Sequence, residues 1–127
     1  MPYTLTVIPE HRAGIVHLTG RVTGAELISA AAELAAHPLW QSHFRAIGDV
    51  SEQASLAVVP EEFEQLLVDV RALRMAGEQG ERVVVVRDEM WTSLVSLFNH
   101  RLADSSRPIR VVSTLDEAFD YLDITGT

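Results

Sequence analysis

The polar residues at the end of residues 44–50 are the first candidates for a functional site. Asp49 and Ser51 lie where that apolar segment ends, and Ser55 follows four residues later. If the segment is an inner strand of a parallel sheet, these side chains lie at its carboxyl end, where open α/β sheets bind ligands. In the alternative, Asp49 and Ser51 only accept hydrogen bonds from loop N–H groups, as turn residues do. We therefore treat Asp49, Ser51 and Ser55 as a candidate loop for a partner or ligand.

Trp91, Val95 and Phe98 form a second, apolar candidate. They belong to residues 90–102, where apolar side chains cover an arc that is unusually wide for a surface helix. Such side chains are most often part of the core, and otherwise they line a pocket or an interface. Trp40, in the loop after the first predicted helix, has the same two interpretations.

The histidines do not predict a metal site. None of the five forms a His-x-His or His-x-x-x-His pair, and none belongs to a His-Glu-x-x-His motif. Asp104 lies four residues after His100, which alone is a weak pair. We expect no metal, and we interpret the histidines as solvated or hydrogen-bonding side chains.

Most catalytic chemistry is also missing from the sequence. The chain has no cysteine, and its 10 basic residues are all arginines, so thiolate nucleophiles and Schiff-base lysines are excluded. No serine lies in a Gly-x-Ser-x-Gly elbow. The glycines of residues 77–80 follow a predicted helix, which is the wrong context for a phosphate-binding loop. We therefore expect a protein that is not an enzyme and that needs no cofactor.

Charge and length limit the function further. The 127 residues suit one domain, 1–127, and the net charge of −8 would repel a phosphate backbone, so nucleic-acid binding is not expected. No apolar run approaches the roughly 20 residues of a membrane span, and the N-terminus lacks a signal pattern. Together with the absence of cysteine, this favours a cytoplasmic location.

The strands that position these residues are predicted from hydrophobic patterning. Residues 3–8 alternate between apolar and polar side chains, and residues 15–18 resume an extended pattern, which predicts an antiparallel hairpin. Further strands are predicted at 44–50 and 108–112. The four valines of residues 83–86 are typical of a parallel strand that is covered on both faces.

The helices are predicted from their capping residues. Thr23 and Glu26 form a capping box before an Ala-rich helix that stops at residues 37–38, and Pro60 and Asp88 begin the next two. A second capping box, Thr114 to Glu117, opens a short final helix. The alternation predicts an α/β fold: a mixed, mostly parallel sheet of about five strands, with the N-terminal hairpin and about four helices.

These residues resemble a known family. The segments that carry the resemblance are Gly-Arg-Val-Thr at 20–23, Asp-Val-Ser at 49–51, the valine strand, and Leu-Asp-Glu-Ala-Phe-Asp-Tyr-Leu at 115–122. In this pattern the chain resembles the STAS fold group, the anti-sigma-factor-antagonist and sulfate-transporter C-terminal domain, and in particular its stand-alone bacterial relatives. The resemblance implies a βα superhelix with helices mostly on one face, and a binding or regulatory module.

One motif departs from that family. Phospho-regulated members follow the Asp-x-Ser strand end with Asp-Ser-Ser-Gly, whose serine is phosphorylated, whereas residues 52–59 here read Glu-Gln-Ala-Ser-Leu-Ala-Val-Val. Only Ser55 lies near the equivalent place. We therefore expect a non-enzymatic regulatory domain that binds a protein partner. The alternative is a domain that binds a small apolar, lipid-like ligand, since the fold group includes lipid-binding domains and residues 90–102 could line a cavity.

The pattern also favours a homodimer. Right-handed crossovers in simple strand order place all helices on one side of a sheet, yet the valine strand is expected to be covered on both faces. The N-terminal hairpin, the short terminal helix or a second copy of the chain could cover the second face. The apolar arc of residues 90–102 adds further apolar surface, which one face of the sheet is not expected to bury. An isologous dimer, which would bury this surface, is therefore expected.

Overall fold

The computed structural model describes residues 3–41, 43–51, 54–57, 60–75, 81–101 and 109–122, with the backbone alone at 60, 70, 71 and 73–75. The strands are β1 (Tyr3–Ile8), β2 (Ala13–Leu18), β3 (Arg21–Val22), β4 (Arg45–Val50), β5 (Ser55–Leu56), β6 (Arg82–Val85) and β7 (Arg110–Val112). The helices are α1 (Gly24–Ala35), α2 (Pro60–Met75), α3 (Glu89–Arg101) and α4 (Leu115–Tyr121). None of the helices described is both long enough and apolar enough to cross a membrane.

The main sheet has five strands in the order β1-β2-β4-β6-β7. β1 and β2 pair antiparallel, and every other pair in this sheet is parallel. The predicted fold class, a mixed and mostly parallel sheet with an N-terminal hairpin and four helices, is confirmed. The sequence did not predict the second sheet, in which the two-residue strands β3 and β5 pair in parallel.

Capping residues begin the helices where the sequence predicts. Thr23 Oγ1 accepts from the Glu26 N–H at 3.2 Å, and Glu26 Oε1 accepts from the Thr23 N–H at 3.0 Å, which completes the capping box of α1. Asp88 Oδ1 accepts from the Trp91 N–H at 3.0 Å at the start of α3. Thr114 accepts from the backbone of α4 in the same way. These bonds satisfy N–H groups that no carbonyl within the helix can reach.

The two faces of the main sheet are covered by different helices. One face packs on α1 and α3, with α2 contacting both helices through a separate apolar cluster. The other face carries Ile47, Val83 and Val85, all fully buried, and packs on Ala118 and Leu122 at α4. Thus α1, α2 and α3 share one side, as the resemblance implies, whereas α4 lies on the opposite side.

The position of α4 decides among the three candidates for covering the second face of the sheet. The handedness rule applies to a helix between two parallel strands, so it fixes α1, α2 and α3 and leaves α4 free to take the other face. Arg45 holds α4 there, because its guanidinium donates to the Leu122 carbonyl and, at 2.6 Å, to the His11 carbonyl. The terminal helix is therefore the element that covers the second face. The first argument for a homodimer, an uncovered second face of the sheet, therefore no longer holds.

Candidate functional site

A polar cluster lies at the carboxyl ends of β2, β4 and β6. Asp49 Oδ2 lies 3.1 Å from His17 Nδ1, and Asp49 Oδ1 lies 3.4 Å from Arg87 Nη1. The same Nη1 atom donates to the Val50 carbonyl at 2.6 Å. Asp49 is thus held between an imidazole and a guanidinium. We call Asp49, His17 and Arg87 the carboxylate cluster.

The strand register produces this cluster. His17 and Asp49 are Cα partners in the parallel ladder between β2 and β4, and neighbouring partners in a sheet project to the same face. Arg87 follows Val86 at the end of β6, the next strand along the sheet. Sequence reasoning singled out Asp49 but missed His17 and Arg87, because a pattern of alternation does not reveal which residues of two strands stand side by side.

Ser51 and Ser55 occupy different positions relative to Asp49. Ser51 directly follows β4, where its N–H donates to the Leu18 carbonyl at 2.9 Å, and it lines a small polar groove with Val50, Arg87 and Asp88. Ser55 is exposed and belongs to β5, so it lies in the two-stranded sheet, where its N–H donates to the Gly20 carbonyl at 2.7 Å.

The carboxylate cluster is accessible to solvent and offers polar contacts. The side chain of His17 is 40% exposed, that of Arg87 33% and that of Asp49 19%. Both carboxylate oxygens of Asp49 thus lie near side chains of other strand ends, Oδ2 near His17 and Oδ1 near Arg87. Over the described ranges, no three His, Asp or Glu side chains come together in a way that could hold a metal ion.

The apolar candidate lines a cavity between the main sheet and helices α1 and α3. Trp91, Val95 and Phe98 are all buried, and all three line a space of about 180 Å³. Leu27 of α1 and Val84 of β6 contribute to the same wall. The sequence left these three α3 residues open between the core and a pocket or interface; their role as a ligand pocket or interface stays a prediction.

The cavity exists because small residues face it. Ala30, Ala31, Ala46 and Gly48 line it where larger side chains would fill the space. A Cβ atom at Gly48 would meet Val84 Cγ2 at 3.6 Å and Val84 Cγ1 at 3.9 Å, which are ordinary contacts. Most protein interiors have few voids larger than a water molecule. The space here is partly open to solvent, and its small lining residues leave it unfilled.

Two polar contacts join the helices that line the cavity, α1 and α3, to their neighbours β1 and α2. The Tyr3 hydroxyl of β1 donates to Glu33 of α1, and this hydrogen bond, aided by burial, raises the pKa of Tyr3 above its ordinary value of 10.0. Arg101 of α3 donates to both carboxylate oxygens of Glu64 of α2, each at 3.0 Å. This bond and the positive charge lower the pKa of Glu64 below 4.5.

The sequence did not decide whether the two tryptophans belong to the core or to an interface, and the structure shows that they differ in burial. Trp91 is buried, and its indole N–H donates to the Ala54 carbonyl at 3.3 Å. Trp40 is half-buried and meets Phe44 edge to face, with ring centroids 5.5 Å apart. A Cβ atom at Gly14 would lie 2.9 Å from Trp40 Cζ3. Trp40 therefore packs directly on the backbone of β2.

Comparison with known proteins identifies the fold. No protein-family model matches the sequence, and no curated protein matches it. Among solved structures, the chain is similar to that of the anti-sigma factor antagonist SpoIIAA in its unphosphorylated form, with a TM-score of 0.56 and 11% sequence identity. The similarity covers 95% of this chain and 97% of that one. The STAS-like fold expected from the sequence is thereby confirmed.

Proposed function

We propose that this chain, which has the fold of the anti-sigma factor antagonist SpoIIAA, is a non-enzymatic regulatory domain that binds a protein partner. The observation that carries the proposal is the likeness over nearly the whole length of both chains. An anti-sigma factor antagonist acts on another protein, and the fold here is built in the same way. Binding, and not turnover, is the role that this likeness supports.

The surface proposed for the partner is the carboxylate cluster together with Ser51. These residues lie at the carboxyl ends of parallel strands, the edge at which open α/β sheets bind ligands. Arg87 and His17 can each donate to a partner while Asp49 accepts, so the surface offers both signs of polar contact. Ser55 lies on the small sheet that follows and is proposed as a peripheral contact. Electrostatic complementarity of this kind fixes specificity and the rate of association.

The proposal includes no catalysis and no phosphorylation switch. The Asp-Ser-Ser-Gly motif of phospho-regulated relatives is absent from residues 52–59, so binding is proposed to need no modified serine. An acidic chain with a net charge of −8 also favours a protein over a nucleic acid as partner. A bacterial source and a cytoplasmic location belong to the same proposal.

Affinity capture with matched charge reversals tests the proposed surface. Asp49→Lys reverses the charge within the cluster, and Glu10→Lys makes the same change at an exposed position that lies at the other end of the sheet. We expect a partner that wild type and Glu10→Lys retain and that Asp49→Lys loses. If Asp49→Lys is folded by circular dichroism and captures the same proteins as wild type, the partner does not use this surface.

A second function, binding of a small apolar ligand, is favoured by the cavity. The space of about 180 Å³ is lined mainly by apolar side chains and is partly open to solvent. A ligand that fills it would bury apolar surface, and apolar cavities of this size do bind small apolar molecules. Native mass spectrometry of the purified protein tests this role. A co-purifying mass that denaturation releases supports it, and protein that takes up no apolar compound contradicts it.

We also propose a homodimer, which now rests only on exposed apolar residues of α3. α4 covers the face that was left to a second copy, but Met90 and Leu97 on the outer side of α3 are 64% and 44% exposed. They lie seven residues apart and so share one face of the helix. Light scattering tests this proposal. A mass near 14.0 kDa excludes the dimer, and a mass near twice that value supports it.

A further inference from the structure

We infer that two copies of this chain join through β1, whose free edges pair antiparallel about a two-fold axis at Leu5 and so continue the main sheet from one copy to the other. The inference rests on the proposed homodimer and names its contact surface, which it places at β1 instead of at Met90 and Leu97. β1 is the first strand in the sheet order, and among the described strands only β2 pairs with it. One edge of β1 is therefore free.

The hydrogen bonds of β2 show which backbone groups of β1 point to this free edge. The carbonyls of Arg12 and Leu18 accept from N–H groups at the two ends of β4, so the even-numbered residues of β2 direct their polar groups towards β4. The odd-numbered residues of β2 therefore bond to β1, where their partners are the even-numbered residues. Three residues of β1 remain whose N–H and C=O groups point away from the sheet: Tyr3, Leu5 and Val7.

One register of a two-fold pair satisfies all of these groups. If Leu5 lies opposite Leu5 of the second copy, Tyr3 lies opposite Val7 at each end, and each pair of residues exchanges two hydrogen bonds. A rotation about an axis perpendicular to the sheet keeps every side chain on its own face, so opposite residues are both odd-numbered or both even-numbered. A shift by two residues would leave Tyr3 or Val7 opposite a residue outside β1. The edge is thus complementary to itself in a single register.

The side chains of β1 suit the same register. Thr4 lies opposite Thr6 of the second copy at two places, and both threonines are exposed. Threonine pairs are favourable across antiparallel strands, and β1 has no charged residue that would oppose its own copy. On the other face, Tyr3 and Leu5 already pack in the cluster that includes Ala30 of α1. The second copy can therefore dock without displacing a side chain of β1 from the core.

The opposite edge of the sheet, at β7, is closed in several ways. The side-chain amide of Asn99 donates to the Ile109 carbonyl at 3.0 Å and accepts from the Ile109 N–H at 2.7 Å, just before the strand. Just after it, the Ser113 N–H donates to Glu117 Oε2 at 3.4 Å. β7 itself has three residues and begins with a charged one, Arg110. Short strands, charges and covering side chains are the means by which native sheets prevent edge pairing.

The edge of β1 has none of these protections among the described residues. The strand is six residues long, uncharged, and rich in β-branched and aromatic side chains, and Pro9 follows it instead of interrupting it. A strand of this composition at a free edge is a template for pairing with another strand. Because its polar groups satisfy one another in a two-fold pair, a second copy of the chain is the occupant that the edge fits.

Helix α1 leaves room for the second copy. The Tyr3 hydroxyl donates to Glu33, so this side of α1 lies above β1. Ala25 and Ser29 precede Glu33 at steps of four residues and therefore lie on the same side, where both are small and exposed. The register separates the Tyr3 residues of the two copies by about 13 Å along the strands. The two Glu33 carboxylates are thereby held apart.

Sedimentation velocity on charge variants of the two threonines tests the inference. Pairing along one strand gives a small contact, and contacts below about 1,200 Å² are weak, so wild type should shift from monomer to dimer between about 10 µM and about 500 µM. Thr4→Lys combined with Thr6→Lys places like charges opposite each other and should raise the dissociation constant of the dimer at least about tenfold. Thr4→Glu combined with Thr6→Glu should do the same.

A mixture of these two double variants tests the register itself. In an equimolar mixture each lysine lies opposite a glutamate, so a heterodimer should form at concentrations at which either variant alone is monomeric. Recovery of a dimer also shows that both proteins are folded, which circular dichroism checks for each alone. Met90→Lys combined with Leu97→Lys is the matched control at the α3 surface, and it should dimerise as wild type does.

The failures of the inference and of the homodimer proposal are distinguishable. If wild type stays monomeric over the whole range, both are wrong. If the α3 control loses the dimer while the threonine variants keep it, the inference is wrong and the homodimer proposal stands with Met90 and Leu97 as its surface. If wild type dimerises and the folded variants form no more dimer when mixed than alone, β1 does not pair in this way and the inference is wrong.

Discussion

Substituting alanine at Gly48 and at Gly14 should change stability in opposite directions. Both glycines lie in strands of the main sheet, in β4 and β2, and neither has a positive φ angle. A Cβ atom at Gly48 meets only Val84, at 3.6 Å or more. A Cβ atom at Gly14 meets Leu34 Cδ1 at 2.8 Å and Trp40 Cζ3 at 2.9 Å, closer than side chains tolerate.

The magnitudes follow from these contacts. Gly48 is half-buried, so an added methyl group contributes at most about 0.8 kcal/mol, and replacing glycine restricts the unfolded chain by about 0.4–1 kcal/mol. Gly48→Ala should therefore raise the free energy of unfolding by about 0.5–2 kcal/mol. At Gly14 the flexible end of Leu34 can turn aside, but the rigid ring of Trp40 must shift. Gly14→Ala should thus lower stability by about 1–3 kcal/mol.

Urea unfolding followed by circular dichroism measures both variants against wild type. We expect midpoints that move in opposite directions with unchanged m-values, which means that the same surface is exposed on unfolding. A Gly48→Ala protein that is less stable than wild type would refute the reasoning, because it would mean that the space beside Val84 does not exist in solution. Equal effects at the two glycines would refute it as well.

Three further predictions concern the fold. Val85→Asp places an unpaired carboxylate in the fully buried face under α4. It should lower the free energy of unfolding by several kcal/mol. A melting temperature within a few degrees of wild type would contradict the sheet order. The lowered pKa of Glu64 implies stabilisation by Arg101 that is present above pH 4.5 and is lost as pH falls through the lowered pKa. Urea titrations at pH 7 and at pH 3 give the free energy of unfolding that each protein loses on acidification. This loss should be smaller for Glu64→Gln than for wild type, and equal losses would show that the pair contributes nothing. Thr23→Ala, which removes the cap of α1, should lower the free energy of unfolding by about 1 kcal/mol in the same assay, and an unchanged midpoint would mean that the capping box does not stabilise α1.

Local sequence signals predicted most of the elements. The caps at Thr23 and Thr114, the hairpin and the valine strand each depend on residues close in sequence, and each is present where it was expected; of the two predicted capping boxes, the structure shows both reciprocal bonds at α1 and only the threonine bond at α4. β3 and β5 were missed because a strand of two residues has no periodicity to detect. The side taken by α4 was left open among three candidates because no crossover constrains it.

The candidate sites depend on contacts between distant segments, and the sequence predicted them less completely. Trp91, Val95 and Phe98 were singled out from one helix, but the cavity that they line also needs the small residues of β4 and α1. Asp49 was found at its strand end. Its partners His17 and Arg87 lie 32 and 38 positions away, and only the register of three strands brings them together.

Amide hydrogen exchange on the complex with a captured partner tests the proposed function most directly. The account predicts that the partner slows exchange in residues 49–51 and 86–88, at the carboxyl ends of β4 and β6, while residues 9–13 at the opposite end exchange as in the free protein. Protection confined to residues 9–13 or to α4, with residues 49–51 and 86–88 unchanged, would contradict the proposal that the carboxylate cluster binds the partner.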